Sequence, residues 1–250
     1  MTHSRDRHLP EGLPPLGEVH VYHARLDPPE EVVEACAALL APAERLLVRR
    51  RVTEDLVRRA TVSRGLLRLA LGGALERAGG EILLHLGKHG RPLLRESEDS
   101  AQLDFNVSHT GETWIVALTA TGPIGIDVEA PRDETDWDAL VDRYFSAAEG
   151  EQFRSLPAEQ RKGAFFRTWV SKEAFLKARG SGLTTPLREF DVEVRPDQPV
   201  ALCDVRIADE HAEAWWLTEL PEQEFPTVVA GRGTAPAVME FDLDWDRITA

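Results

Sequence analysis

In FFRTWVSKEAFLKARGSGL, residues 165–183, Trp169, Glu173 and Lys177 recur at i, i+4 and i+8 and therefore share one face of a helix. Phe166, Val170 and Phe175 supply apolar neighbours for burial, and Gly180 can take the left-handed backbone that ends a helix. The plain reading is an exposed Glu–Lys pair worth a few tenths of a kcal/mol. A second reading starts from charge. Residues 161–179 carry Arg161, Lys162, Arg167, Lys172, Lys177 and Arg179 against Glu173 alone, a net charge of +5. A lone acid in such an island has the composition of a metal ligand flanked by phosphate-neutralising cations.

Upstream, IGIDVE (124–129) has the period of a strand. Ile124, Ile126 and Val128 fall on one face, and Gly125, Asp127 and Glu129 on the other. A half-buried strand with its acids in water has this pattern. Two carboxylates on one strand face can also share a hard cation such as Mg²⁺, which takes oxygen ligands and retains water. Gly125 leaves room on the acidic face for something to approach the backbone.

The rest of the chain reads as a mixture. Strands are expected at 18–26, 82–86, 103–109, 113–120, 188–195, 214–220 and 226–231. Helices are expected across 30–78, with Pro42 in a first turn, and at 137–144, 146–154 and 158–179. Leu67, Ala70, Leu71, Ala74, Leu75 and Ala78 set a helical stripe that Gly79-Gly80 should stop. Strands and helices come in runs without strict βαβ alternation, so the fold class is α+β. Residues 1–17 read as a loose leader, 18–122 and 123–232 as two halves, and 233–250 as an acidic tail with no assigned element.

The chain has 250 residues, 42% apolar and 29% charged, which describes a folded, soluble protein with a sizeable core. No apolar run reaches the ~20 residues of a membrane span, and the first fifteen residues lack a signal-peptide core. Cys36 and Cys203 have no metal-like spacing, and with no export signal a reducing cytoplasm is expected. The net charge of −14 argues against nucleic acid and anionic membranes as partners. That average hides a second +5 island at 44–68, where Arg45, Arg49, Arg50, Arg51, Arg58, Arg59, Arg64 and Arg68 outnumber Glu44, Glu54 and Asp55. Outside the two islands the chain carries −24. Each island is either a solvated helix face or a local site for a compact polyanion.

Two further segments carry possible chemistry. In FNVSHTG (105–111), Ser108 and His109 end a strand, where side chains often contact ligands. Adjacent strand residues point to opposite faces, so a Ser–His nucleophile pair is disfavoured. In GKHGRPLL (87–94), the turn is either a plain hairpin connection or a rigid loop presenting Arg91 to a phosphate.

The order and spacing of Gly90-Arg91-Pro92, Phe105-Asn106-Val107-Ser108-His109, Gly125-Ile126-Asp127-Val128-Glu129 and Trp169-Val170-Ser171-Lys172-Glu173-Ala174-Phe175-Leu176-Lys177, followed by Gly180 and Gly182-Leu183, closely resembles the 4′-phosphopantetheinyl transferases of the Sfp type. The resemblance spans roughly residues 18–230. It implies a holo-[acyl-carrier-protein] synthase type of activity: transfer of the phosphopantetheine arm of coenzyme A to a serine of an apo acyl or peptidyl carrier protein, releasing adenosine 3′,5′-bisphosphate. It implies two similar α+β halves packed as a pseudo-dimer within one monomeric chain, with coenzyme A and Mg²⁺ in the cleft. By position, Asp127, Glu129 and Glu173 would be metal ligands. Glu173 would also be the base, directly or through water. Lys177 would neutralise the α-phosphate and the leaving group. Ser108 and His109 would lie near the phosphates, with His109 counted among the catalytic residues. Arg59 and Arg91 would contact the nucleotide end, and Lys172 would support cofactor binding. Relatives with lysines near positions 44 and 47 differ from this chain, which has Glu44 and Leu47, and Val128 replaces a middle acid of some branches. The alternative is a coenzyme A or carrier-protein binding module that has lost catalysis.

Overall fold

A computed structural model of the chain describes residues 10–87, 90–95, 103–131, 136–221 and 223–243. Residues 1–9 of the expected leader, Lys88 and His89 of the 87–94 turn, and 244–250 of the tail lie outside the described residues. The fold is α+β, as the runs of strands and helices imply. The chain forms two compact units. One is built from the chain up to Thr121 together with the segment from Ala237, the other from Gly122–Pro236. No helix among the described residues is long and apolar enough to cross a membrane.

In the first unit, β1 (Glu18–Arg25) leads to α1 (Glu30–Leu39), α2 (Pro42–Val48) and α3 (Glu54–Ala74). A short pair follows, β2 (Leu84–Leu86) with β3 (Pro92–Leu94), and then the hairpin β4 (Asp104–Thr110) and β5 (Thr113–Thr119). The β-branched and aromatic run of β5 suits a strand buried on both faces. Pro42 starts α2 as expected, and Thr53 caps α3 by accepting from Leu56 N at 3.2 Å. The α3 stripe of Val62, Leu66, Leu67, Ala70 and Leu71 packs with Tyr22, Phe105, Trp114, Val116 and Leu118. At Gly65 a Cβ would lie 2.4 Å from Cys36 Cβ, so glycine is what lets α1 and α3 approach this closely.

Two expectations need correction here. The α3 stripe was expected to run to Ala78, but the helix ends at Ala74. Arg77 N donates back to Gly72 O at 2.9 Å, and Glu76 takes the left-handed backbone, φ 51°. A glutamate therefore does the job that Gly79-Gly80 signalled four residues too late. The acidic tail also contains an element, β11 (Ala237–Asp242), which pairs parallel to β1 with Glu18 opposite Ala237 and His23 opposite Asp242. The sheet order is β11-β1-β5-β4. Parallel pairing across more than two hundred residues leaves no local signal. His20 and His23 on β1 are buried, His20 edge-on to Phe241 at 5.1 Å.

In the second unit, β6 (Ile124–Val128) is followed by α4 (Trp137–Tyr144), α5 (Ala147–Ser155) and α6 (Ala158–Arg179). β7 (Phe190–Val192) pairs with β8 (Leu202–Val205), while β9 (Trp215–Glu219) and β10 (Thr227–Arg232) join β6 in an antiparallel sheet of order β6-β10-β9. α6 ends at Gly180 with φ 74°, as the sequence predicts. Its inner face, Val170, Ala174, Phe175 and Ala178, packs with Phe190, Trp215, Val228 and Ala230. A second cluster, with Phe145, Phe153 and Phe165, holds α4 and α5 to the start of α6.

Candidate active site

The site starts from one glycine. At Gly125 on β6, a Cβ would lie 2.1 Å from Ala174 O and 2.4 Å from Ala178 N of α6. Only glycine permits that approach. The backbone of α6 thus occupies the space that Gly125 was expected to leave open. The whole of β6 is buried, and Asp127 is only 4% exposed, so the reading of acids facing water does not hold for Asp127.

The approach delivers the helix face of Glu173 and Lys177 to the acidic face of β6. Lys177 Nζ donates to Asp127 Oδ1 at 2.7 Å and to Ile126 O at 3.0 Å. Burial pushes the Glu173 carboxyl up to about 7, helped by the negative charges of Asp127 and Glu129 and opposed by Lys177. Asp127, Glu129 and Glu173 therefore act on one another. They are all-oxygen donors, the chemistry that suits Mg²⁺. A crowded, partly buried set of carboxylates is relieved by a divalent cation. They do not form a finished cage: among the described residues, no group of three or more Asp, Glu, His or Cys side chains is arranged to hold a metal ion. Lys177 Nζ already covers one oxygen of Asp127, Oδ1.

Lys172 is placed elsewhere. Its side chain is 0% exposed and donates to Leu187 O at 2.8 Å and Phe190 O at 2.6 Å. It also meets Glu149 Oε1 at 2.8 Å and lies over the Phe190 ring. Burial pushes Lys172 down and Glu149 up, each countered by the attraction of the other. With its amine enclosed, Lys172 cannot contact a cofactor, which corrects the expectation of a cofactor-binding role. It ties α6 to α5 and β7. Glu149 is the residue that sequence reasoning missed. Its Oε2 accepts from Ser146 N at 2.9 Å and its Oε1 from Val192 N at 2.8 Å. The signal was present as the Ser146-x-x-Glu149 capping box at the start of α5.

The remaining candidates lie in the first unit. Ser108 is buried and His109 exposed on β4, as strand alternation requires, so they do not form a nucleophile–base pair. Arg59 NH1 donates to Gly111 O at 2.7 Å, in the β4–β5 turn beside His109, and its Nε meets Asp55 Oδ2 at 2.8 Å. Arg91 NH2 donates to Phe105 O at 2.7 Å and to Asp104 Oδ1 at 3.1 Å. The two arginines are thus anchored at opposite ends of β4, ~20 Å apart at strand rise. They cannot grip the same phosphate. Glu44, a departure from some relatives, is buried beneath Arg68 at 2.7 Å and Arg64 at 3.3 Å and closes the start of α2 through Ala41 N.

A family model for the 4′-phosphopantetheinyl transferase superfamily matches residues 123–230, and one for the N-terminal part of a 4′-phosphopantetheinyl transferase matches residues 25–121. The chain is 36% identical over 227 residues to the 4′-phosphopantetheinyl transferase HetI of a Nostoc species, covering 90% of this chain and 92% of that one. The chain belongs to the 4′-phosphopantetheinyl transferase superfamily. It is 25% identical over 200 residues to the transferase Sfp of Bacillus subtilis, covering 79% of this chain and 85% of Sfp. It is 31% identical over 159 residues to psf-1 of Bacillus pumilus, covering 63% of this chain and 58% of psf-1. The first family match takes in β6, α6 and the whole carboxylate–lysine seam, and the second takes in Arg59, Arg91, Ser108 and His109.

Proposed function

We propose that this chain transfers the phosphopantetheine arm of coenzyme A to a serine of an apo acyl or peptidyl carrier protein in a Mg²⁺-dependent reaction. The observation that carries the reading is the seam at Gly125, where Lys177 Nζ meets Asp127 Oδ1 at 2.7 Å beside Glu173. Asp127 on the buried strand β6 meets Lys177 there, with the partly exposed Glu173 and Glu129 close enough to act on each other's charge.

Mg²⁺, held by Asp127, Glu129 and Glu173, would supply charge neutralisation and polarisation of the diphosphate. The chain's own residues do the rest. Glu173 accepts the proton of the carrier serine hydroxyl, directly or through one water. The serine Oγ forms a bond to the β-phosphorus as the bond from that phosphorus to the departing adenosine 3′,5′-bisphosphate breaks. Lys177 moves from Asp127 to the charge that grows on the leaving phosphate. Arg59, Arg91, Ser108 and His109 are assigned to the phosphates and nucleotide of coenzyme A, with Arg59 and Arg91 on different groups of it. His109 is exposed near the end of β4.

The test incubates the protein with coenzyme A, Mg²⁺ and an apo carrier protein and reads the carrier mass. Gain of one phosphopantetheine arm, lost with Asp127→Asn and with chelator, supports the reading. An unmodified carrier across a panel of acyl and peptidyl carriers refutes it and leaves the binding-module alternative.

A further inference from the structure

We propose that the bend joining α2 to α3 is a docking surface for an acidic face of the protein substrate. The proposal rests on the transferase reading, because that reaction needs a protein acceptor. It assigns a surface that the chemistry of the seam does not involve.

Most of the first basic island is already engaged. Arg45 donates to Leu40 O and Ala38 O, and Arg58 is held by Glu30 and Pro28 O. Arg59 is held by Asp55 and Gly111 O, and Arg64 and Arg68 by Glu44. Arg49, Arg50 and Arg51 are different. All three are exposed, and among the described residues no carboxylate pairs with them. Three consecutive guanidiniums without internal partners repel one another, and an acidic surface relieves that repulsion.

Apolar side chains stand among them. Leu46 is 63% exposed, Val52 93% and Leu56 45%. Val52 precedes the Thr53 cap, the position from which an apolar side chain ordinarily folds back onto the first turn of its helix. Here it points into solvent instead. A lone exposed leucine means little, but three apolar residues within eleven, interleaved with free arginines, match the composition of a protein interface. The backbone beneath them is fixed: Arg50 N donates to Leu47 O at 3.3 Å, Arg51 N to Val48 O at 3.1 Å, and Leu56 N to Thr53 Oγ1. The surface is therefore ordered before a partner arrives, which lowers the entropic cost of docking.

The occupant is an acidic protein rather than nucleic acid, because the −24 outside the islands repels a long polyanion. A compact acidic domain can meet the bend while keeping clear of the remaining surface. Charge at such a rim acts mainly on the association rate and its salt dependence.

The experiment compares wild type, Arg49→Glu/Arg50→Glu/Arg51→Glu and Leu46→Ser/Val52→Ser, using an apo peptidyl carrier domain of net negative charge at low and high salt. The arginine variant should raise KM for the carrier about tenfold at low salt. Its kcat and its KM for coenzyme A should stay within about twofold, and the salt dependence of wild type should be lost. The apolar variant should raise KM by a smaller factor at every salt concentration. An unchanged carrier KM in both variants, or stronger binding of wild type to anionic vesicles than to the carrier, overturns the proposal. If wild type modifies no carrier, the transferase reading fails. The surface is then judged by direct titration of the same carrier domain, where loss of binding in the arginine variant supports it and unchanged binding rejects it.

Discussion

α3 and α6 have nearly the same length, 21 and 22 residues, and each belongs to a stretch of sequence with charge +5, the one around α3 starting in α2 and the bend before it. Folded, they differ. In α6 the cations are turned to internal use: Arg167 holds Glu219 and the carbonyls of Arg195 and Gln198, Lys172 is enclosed, and Arg161 holds the carbonyls of Leu156 and Arg154. Lys177 is brought to Asp127 beside Glu173 and Glu129. Around α3, Arg64 and Arg68 are paired with Glu44, while Arg49–Arg51 in the middle of the island are exposed with no carboxylate on them among the described residues. The glycines tell the same story. Gly65 lets one helix approach another, whereas Gly125 lets a helix approach a strand that carries acids. Equal charge in the sequence therefore says nothing about use. What decides is which backbone the helix is allowed to approach.

The largest expected effect breaks the internal node of α6. Lys172→Met alone leaves Glu149 buried without its countercharge and should cost about 3–5 kcal/mol by denaturant unfolding. Lys172→Met with Glu149→Leu should recover most of that loss. Arg68→Met is the matching change beneath α3, and it should destabilise by less, because Arg64 still meets Glu44 at 3.3 Å. A double variant no more stable than Lys172→Met would show that the node is not held by charge pairing.

A smaller effect separates the two glycines. Gly125→Ala and Gly65→Ala should each cost about 1–3 kcal/mol, since a Cβ meets backbone in both. Only Gly125→Ala should also lower kcat at a temperature where both proteins are folded, because it displaces Glu173 and Lys177 from β6. Equal activity in the two variants would remove the seam from the account.

The smallest effect is chemical. Cys36 is buried under α3, and burial pushes its thiol up to about 11, while Cys203 is exposed on β8. A thiol reagent at neutral pH should label Cys203 in the native protein and Cys36 only on unfolding. Mass mapping of the labelled peptides checks this.

Much of the second unit was legible in the sequence. α6 showed a full helical period, a glycine stop and a spacing that placed Glu173 and Lys177 together, and IGIDVE showed a clean strand period. Such local patterns survive folding because they are made by neighbours in the chain. The internal partners of Lys172 and Arg91 were not legible in the same way. Their partners, Glu149 and Asp104, lie 23 and 13 residues away, and no periodicity joins them. β11 was missed for the same reason, since its partner β1 lies at the other end of the described chain. Glu76 at a left-handed position was missed because sequence rules assign that backbone to glycine.

The central claim is that the chemistry belongs to the β6–α6 seam while the arginines of the first unit bind. Single-turnover transfer to an apo carrier, measured with Glu173→Gln and Asp127→Asn beside Arg59→Ala and Arg91→Ala, tests it most directly. The first pair should lose at least about a hundredfold in rate at saturating coenzyme A. The second pair should keep the rate and need more coenzyme A to reach it. Near-normal rates in Glu173→Gln and Asp127→Asn, with the loss falling instead on Arg59→Ala or Arg91→Ala at saturation, would contradict it.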